Sequence, residues 1–250
     1  VLDVPQGLVE ALRNAQHVVV LTGSGISAES GVPTFRDAQS GLWAQYEPTE
    51  LATPEAFARD PKLVWSWYQW RRELVAAARP NSGHHALVAL AAHVPKLTLV
   101  TQNVDGLHQR AGNNAVIEYH GNLFRDLCSA RCGAPASPAA NDAEPPGCRS
   151  CGALLRPGVV WFGESIPPEA VTAADAACAC CDVFLSVGTS SLVWPAAGLA
   201  DLAAANGAIV AEINPEETPL SPSVRYRLAA SAGLALPKLV DLLAASQPQA

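Results

Sequence analysis

The sequence lacks any apolar run approaching the roughly 18 residues needed to cross a bilayer, although 49% of its 250 residues are hydrophobic. It also lacks an excess of positive charge. Sixteen Lys and Arg stand against 23 Asp and Glu, for a net charge of −7. No broad basic surface is therefore available to neutralise phosphates, and nucleic acid is not expected as a ligand. Charged residues are scarce, at 16%, which together with the apolar content describes a well-buried globular chain and excludes disorder as its main character. The opening VLDVPQGLVE lacks a basic region followed by an apolar one, so a cytoplasmic protein without membrane contact is expected. No internal repeat is present. The length suits one large domain carrying a smaller inserted module.

Seven cysteines are present, and their arrangement says more than their number. Cys128 and Cys132 lie four positions apart, Cys148 and Cys151 three, and the pairs bracket the Pro/Ala-rich segment GAPASPAANDAEPPG. Two short cysteine pairs separated by such a loop form the ligand pattern of a tetrahedral structural zinc site, with one zinc ion per chain. Gly133 and Gly152, after each pair, suit the turns of a zinc knuckle. Cys178, Cys180 and Cys181 in DAACACC read as small core residues.

Several β-branched runs end on polar or glycine residues: HVVVLT before Gly23, KLTLVT before Gln102, VFLSV before Gly188 and AIVAEI before Asn214. Ala/Leu-rich helical patterns lie between them. Buried strands alternating with helices predict an α/β fold, a Rossmann-like doubly wound parallel sheet, whose ligands bind beyond the carboxyl ends of the strands. Two segments break the alternation. Residues 38–80 read as loop plus helices, with Thr53 as N-cap and Pro54 at the first helical position; residues 121–160 carry the cysteines. These are expected to form a small domain over a large nucleotide-binding domain made of 1–37, 81–120 and 161–250, with a cleft between the two.

After the first strand, TGSGISAESGVPTFRD places Gly23, Gly25 and Ala28 in a G-x-G-x-x-A pattern, which lets a dinucleotide pyrophosphate approach backbone amides at a helix start. Glycine turns after strands also occur for purely steric reasons. About 20 residues on, where a dehydrogenase would supply an acidic ribose partner, the chain has the loop SGLWAQYEP. Nucleotide binding is expected and hydride transfer is not.

GSGISAESGVPTFRD, TQNVDGLHQRAG, EYHGN, the paired cysteines, VVWFGE, VGTSS and INPE follow one another in this order. In this the chain resembles the sirtuins, the NAD-dependent protein-lysine deacylases, over roughly residues 10 to 240. The resemblance implies that NAD is consumed as a co-substrate and that acyl-lysine proteins or peptides are the partners. The acyl oxygen attacks the ribose carbon bearing nicotinamide, nicotinamide leaves, and hydrolysis of the resulting imidate releases O-acyl-ADP-ribose and free lysine. It implies His120 as the catalytic base, against the alternative of a hydrogen-bonded core histidine; a pKa near 6.5 suits the task. It implies cofactor contacts from Gly23, Ser24, Gly25, Ile26, Ala28, Glu29, Thr34, Phe35, Arg36 and Trp43. Further contacts are implied for Gln102, Asn103, Val104 and Asp105, for Gly188, Thr189 and Ser190, and for Asn214, Pro215, Glu216 and Ala232. Val160, Trp161, Phe162, Gly163 and Glu164 would pair with the substrate peptide as an added strand. Ser24 replaces a frequent alanine, and the first cysteine pair has one more intervening residue than is usual. A monomer is expected. Mono-ADP-ribosyl transfer and a non-catalytic, zinc-containing NAD sensor are the alternatives.

WSWYQWRREL places Tyr68 and Arg71 three residues apart, hence neighbours on a helix. Arg71 has two readings: a stem laid along Trp67 or Trp70 with its head in water, or a buried anion partner. The pair matches the Y-x-x-R of the sirtuin branch that removes malonyl and succinyl groups. A dicarboxylic acyl chain ends in a carboxylate that would be costly to bury alone, and a guanidinium with a phenol could hold it.

Overall fold

The computed structural model describes residues 2–33, 46–136 and 144–245. Its centre is a parallel sheet in the order β3-β2-β1-β6-β7-β8. The strands are β1 (His17–Thr22), β2 (Lys96–Thr101), β3 (Val116–Glu118), β6 (Val183–Val187), β7 (Ile209–Ile213) and β8 (Tyr226–Leu228). β1 and β6 are buried at every position, as strands covered on both faces must be, and this is why they read as unbroken apolar runs. The four strands expected from the sequence are all present. The two edge strands, of three residues each, were not foreseen.

One face of the sheet is covered by α1 (Gln6–Asn14), α6 (Ser82–Ala91) and α10 (Ala232–Ala244), through a core that includes Leu8, Leu12, Val20, Leu87, Leu185 and Leu239. The other face is covered by α8 (Pro168–Cys178) and α9 (Gly198–Ala205), around Val19, Phe184 and Leu199. Cys178 and Cys181 are buried there, whereas Cys180 is exposed; its thiol donates to the Ala176 carbonyl at 3.1 Å.

A third core, of Leu51, Phe57, Val64, Trp67, Tyr68, Leu123, Val159 and Trp161, lies away from the sheet. It joins α3 (Pro48–Leu51), α4 (Pro54–Arg59) and α5 (Pro61–Ala77) to the antiparallel pair β4 (Gly121–Cys128) and β5 (Leu155–Val159). Local chemistry sets these helix starts. Thr53 Oγ1 accepts from the Ala56 amide at 3.1 Å and Asp60 Oδ1 from the Leu63 amide at 2.9 Å, each cap followed by proline at the first helical position. No helix among the described residues is long and apolar enough to cross a membrane.

Candidate active site

The chain leaves β1 for β2 on one side, and β6 lies on the other. The crevice at the carboxyl ends of β1 and β6 is therefore the topological switch point, where ligands bind in open α/β sheets. Backbone bonds stitch its loops together: Gly23 donates to Val187 at 3.0 Å, Gly25 to Gly188 at 2.8 Å, Gln102 to Thr22 at 2.9 Å and Gly188 to Ile213 at 2.9 Å. A Cβ at Gly23 would stand 2.8 Å from the Gly188 carbonyl oxygen, and one at Gly25 2.7 Å from it. Gly188 has φ +58°, and its own Cβ would meet the Ile26 nitrogen at 2.6 Å. These glycines let two loops touch. The helix that follows, α2 (Gly25–Ala28), is a single turn of 4 residues, shorter than the pyrophosphate-cradling helix that the pattern suggested. Ser24 precedes it and is exposed. Ile26 is fully buried in the sheet core, its amide donating to the Gly23 carbonyl at 3.2 Å and its carbonyl accepting from Asn81 Nδ2 at 2.7 Å.

Beyond β2, Asn103 Nδ2 donates to the Gly23 carbonyl at 3.0 Å and to Ser27 Oγ at 3.1 Å. Ser27 Oγ donates to Asp105 Oδ2 at 2.7 Å, and the Leu107 amide to Asp105 Oδ1 at 2.9 Å. Burial raises the Asp105 pKa against the pull of these bonds. Gln102 Nε2 donates to Thr189 Oγ1 at 3.0 Å. The Val104 carbonyl accepts from the Leu123 amide at 2.8 Å, tying this loop to β4. At the far side, Asn214 Nδ2 donates to the Thr189 carbonyl at 2.9 Å, and the Glu216 amide to Asn214 Oδ1 at 3.2 Å. The loop holding Asn214, Pro215 and Glu216 is anchored by buried Glu212, which accepts from the Thr218 and Ser221 hydroxyls.

His120 follows β3. Its Nδ1 lies 3.1 Å from the Gln102 carbonyl oxygen, so Nδ1 carries the proton and Nε2 is the accepting nitrogen. Burial lowers its pKa below 6.5, and the bond to Gln102 opposes this. Glu29, expected at the cofactor, sends its carboxylate to the start of α10: it accepts from the Gly233 amide at 2.8 Å and from Ser231 Oγ at 3.0 Å. Glu29 is thereby brought beside Ala232. Thr34, Phe35, Arg36 and Trp43 lie outside the described residues.

Residues 160–164 form a folded turn. The Val160 amide donates to the His120 carbonyl at 2.9 Å and the Phe162 amide to Ala52 at 3.0 Å. Gly163, at φ +84°, closes the turn. The Glu164 carboxylate faces inward, accepting from Arg156 Nη1 at 2.5 Å, Arg156 Nη2 at 2.8 Å and the Trp161 amide at 2.9 Å. Its side chain is committed within the chain, so only its backbone is left for the added-strand pairing expected of this segment.

Tyr68 is buried at 3% exposure, and Trp161 Nε1 donates to its hydroxyl oxygen at 2.9 Å. Burial pushes the Tyr68 pKa up to about 12, so the phenol is neutral. The Arg71 guanidinium carbon lies 5.0 Å from the Trp67 ring centroid. It is the head, not the stem, that lies over tryptophan, and the side chain is half-buried with its Nε out of water. Burial lowers the Arg71 pKa, while Tyr68 and then Asp105 hold it up.

Sequence reading missed a buried network behind this site. Thr22 Oγ1 donates to Thr101 Oγ1 at 2.8 Å and meets His108 Nε2 at 2.9 Å. His84 lies 3.5 Å from Ser27 Oγ through Nε2 and accepts the Asn81 amide at 3.3 Å through Nδ1. The His84 and His108 rings are 4.9 Å apart, and burial lowers their pKa values to about 4 and about 3. The available signal was Asn81, a helix cap three residues before a histidine.

The sulfur atoms of Cys128, Cys132, Cys148 and Cys151 all lie within 4.8 Å of one another, with Cys128 to Cys151 at 3.4 Å and Cys132 to Cys148 at 3.8 Å. Zinc–sulfur bonds of about 2.3 Å in a tetrahedron place sulfurs about 3.8 Å apart, so the four thiols fit zinc. The Cys132 amide helps pull the Cys128 thiol down to about 6, toward the thiolate a metal requires.

A doubly wound sheet with a polar switch-point crevice and an attached four-thiol knuckle defines a nucleotide-binding α/β protein with a structural zinc site. Residues 23–195 match the Sir2 family model. An NAD-dependent protein deacylase of Methylococcus capsulatus is 50% identical over 250 residues, covering 96% of this chain and 98% of its own. One from Aquifex aeolicus is 51% identical, covering 91% and 95%. The crystal structure of a Sir2 homolog–NAD complex superposes with a TM-score of 0.87 at 42% identity, covering 98% of this chain and 95% of that one. The chain belongs to the Sir2 family.

Proposed function

We propose that this chain is an NAD-dependent protein-lysine deacylase that prefers lysines bearing succinyl or malonyl groups and also accepts acetyl-lysine. The enzyme class follows from family membership and from relatives named NAD-dependent protein deacylase. The acyl preference rests on one observation: on one face of α5, buried Tyr68 stands beside half-buried Arg71, and the two are electrostatically coupled. Such a pair offers a carboxylate-tipped acyl chain a charge-assisted partner, and offers an acetyl methyl nothing.

The loops after β1, β2, β6 and β7 would hold NAD, which supplies an activated nicotinamide–ribose bond when present. Gln102, Asn103 and Asp105 suit a carboxamide and ribose hydroxyls. His120 Nε2 would take a proton from a ribose hydroxyl, with Nδ1 locked on Gln102. Residues 160–164 would carry the peptide as an added strand. Because the amides of Val160, Trp161, Phe162 and Glu164 already bond within the chain, that pairing draws chiefly on carbonyls. We assign residues 38–80 and 121–160 to a small domain and the remainder to the NAD-binding domain, with the chain acting as a monomer.

Mass spectrometry of one lysine peptide carrying acetyl, malonyl or succinyl groups, with and without NAD, tests this reading. Expected is NAD-dependent loss of all three, faster for the acidic acyl groups. No NAD-dependent product would refute the activity, and faster loss of acetyl would refute the preference. Radiolabelled ADP-ribose on protein without free lysine would support ADP-ribosyl transfer instead.

A further inference from the structure

We infer that Trp161 is a specificity-determining residue: its indole N–H sets the Tyr68 hydroxyl as a donor, and the Arg156–Glu164 pair holds the indole in the position that does so. This rests on the reading of Tyr68 and Arg71 as the acyl-recognition pair.

A phenol has one proton to give and lone pairs with which to accept, whereas an indole N–H can only donate. The 2.9 Å bond therefore has one direction, Trp161 Nε1–H to Tyr68 oxygen. With an acceptor site of that oxygen occupied, the hydroxyl proton must go to another acceptor. A carboxylate accepts it; an acetyl methyl group does not. The indole takes up one acceptor position of the oxygen and so biases the hydroxyl toward donating to an anion, on the helix face that also carries Arg71.

The indole is fixed from several sides. The Arg156 guanidinium carbon lies 3.4 Å from the Trp161 ring centroid, and Phe57 packs on it at 5.3 Å and 43°. Arg156 is itself buried, at 7% exposure. It grips Glu164 with two bonds, of 2.5 and 2.8 Å, and donates through Nη2 to the Val159 carbonyl at 2.8 Å. Glu164 in turn accepts the backbone amide of Trp161. A guanidinium on one face, an aromatic ring alongside and a backbone tether hold the indole where its N–H meets Tyr68. The neighbouring Val160 amide donates to the His120 carbonyl, so the clamp sits beside the residue proposed as base.

The test compares kcat/KM on a succinyl-lysine and an acetyl-lysine version of one peptide for wild type, W161F, Y68F, the W161F/Y68F double variant and R71M. W161F keeps an aromatic ring against Arg156 and removes the N–H. Expected is a fall in the succinyl-to-acetyl ratio of about 3- to 10-fold for W161F, the size of one hydrogen bond, and no further fall when W161F is added to Y68F. A W161F ratio within twofold of wild type, or an equal further fall in the Y68F background, overturns the inference. R71M separates the two levels: loss of the ratio there with none in W161F sinks only the role of Trp161, while an unchanged ratio in R71M sinks the acyl-pair reading and the inference with it. Zinc content and NAD KM report on folding. If W161F does not fold, the Trp161 indole proton is followed by nitrogen-15 NMR in wild type and Y68F. Loss of its exchange protection in Y68F supports the bond, and unchanged exchange overturns it.

Discussion

The His120 ring donates its Nδ1 proton to the Gln102 carbonyl across 3.1 Å, and that bond determines what the other ring nitrogen can do. With Nδ1 protonated, Nε2 is the basic site of a neutral imidazole. Removing the ring in His120→Ala should lower deacylation by about 10²- to 10⁴-fold, the range for a positioned general base. Normal turnover in that variant would defeat the assignment. Burial lowers the His120 pKa below 6.5, so the base stays unprotonated further into acid than a free histidine. The acid limb of kcat/KM should therefore lie below pH 6.5, and a pH–rate profile with its limb at or above 6.5 would contradict this.

The zinc site is built from β4, β5 and the loop between them, and Cys128 and Cys148 pack with Trp65 and Leu155 in a small core. Removing a ligand should therefore cost metal and stability together. Cys128→Ser is expected to reduce bound zinc, measured by elemental analysis, and to lower the melting temperature in the same preparation. Full zinc with an unchanged melting temperature would show that the four thiols do not form the site.

His84 and His108 predict how stability depends on pH. Both are essentially unexposed, at 0% and 1%, with folded pKa values of about 4 and about 3, against about 6.5 when unfolded. Between these values the unfolded chain binds more protons, so stability rises with pH and is lost as pH falls below about 6.5. Each histidine should remove about 2 kcal/mol between pH 7 and pH 5. Urea titrations with saturating zinc at the two pH values give the slope, and His108→Asn should flatten it even if it lowers stability at both. An unchanged slope would mean that His108 does not stay neutral in the folded protein.

Much of this architecture was legible because its causes are local. β1, β2, β6 and β7 are apolar runs ending in polar residues, and the cap at Thr53 needs only the next three residues. β3 and β8 were not legible, since a three-residue edge strand takes its pairing from a neighbour and carries too few side chains for a period. Site roles divided in the same way. Asn103, Asp105 and His120 were singled out by the motifs that carry the family resemblance; residue type alone would have left His120 a core histidine. Glu29 and Glu164 find partners that their own segments do not announce: the Gly233 amide, 204 residues away, and the Arg156 guanidinium across a turn. An acidic residue in a motif shows that a charge is needed, not which way it faces.

Arg71 has the most at stake in the proposed acyl preference. Its guanidinium is drawn out of water beside Tyr68 and within the field of Asp105, so its charge is already partly balanced before any substrate arrives. An incoming succinyl carboxylate must therefore compete for it through a short charge-assisted contact. Arg71→Met keeps a similar apolar stem against Trp67 and removes the head. It should lower kcat/KM for succinyl-lysine by the equivalent of about 2 to 5 kcal/mol, the cost of truncating one partner of a buried charge pair. The acetyl reaction, which presents no charge, should suffer far less, so the ratio of the two rates carries the result. If both substrates lose equally, the arginine supports the α5 face and does not read the acyl group; if the ratio moves toward acetyl by about 30-fold or more, the carboxylate is what Arg71 recognises.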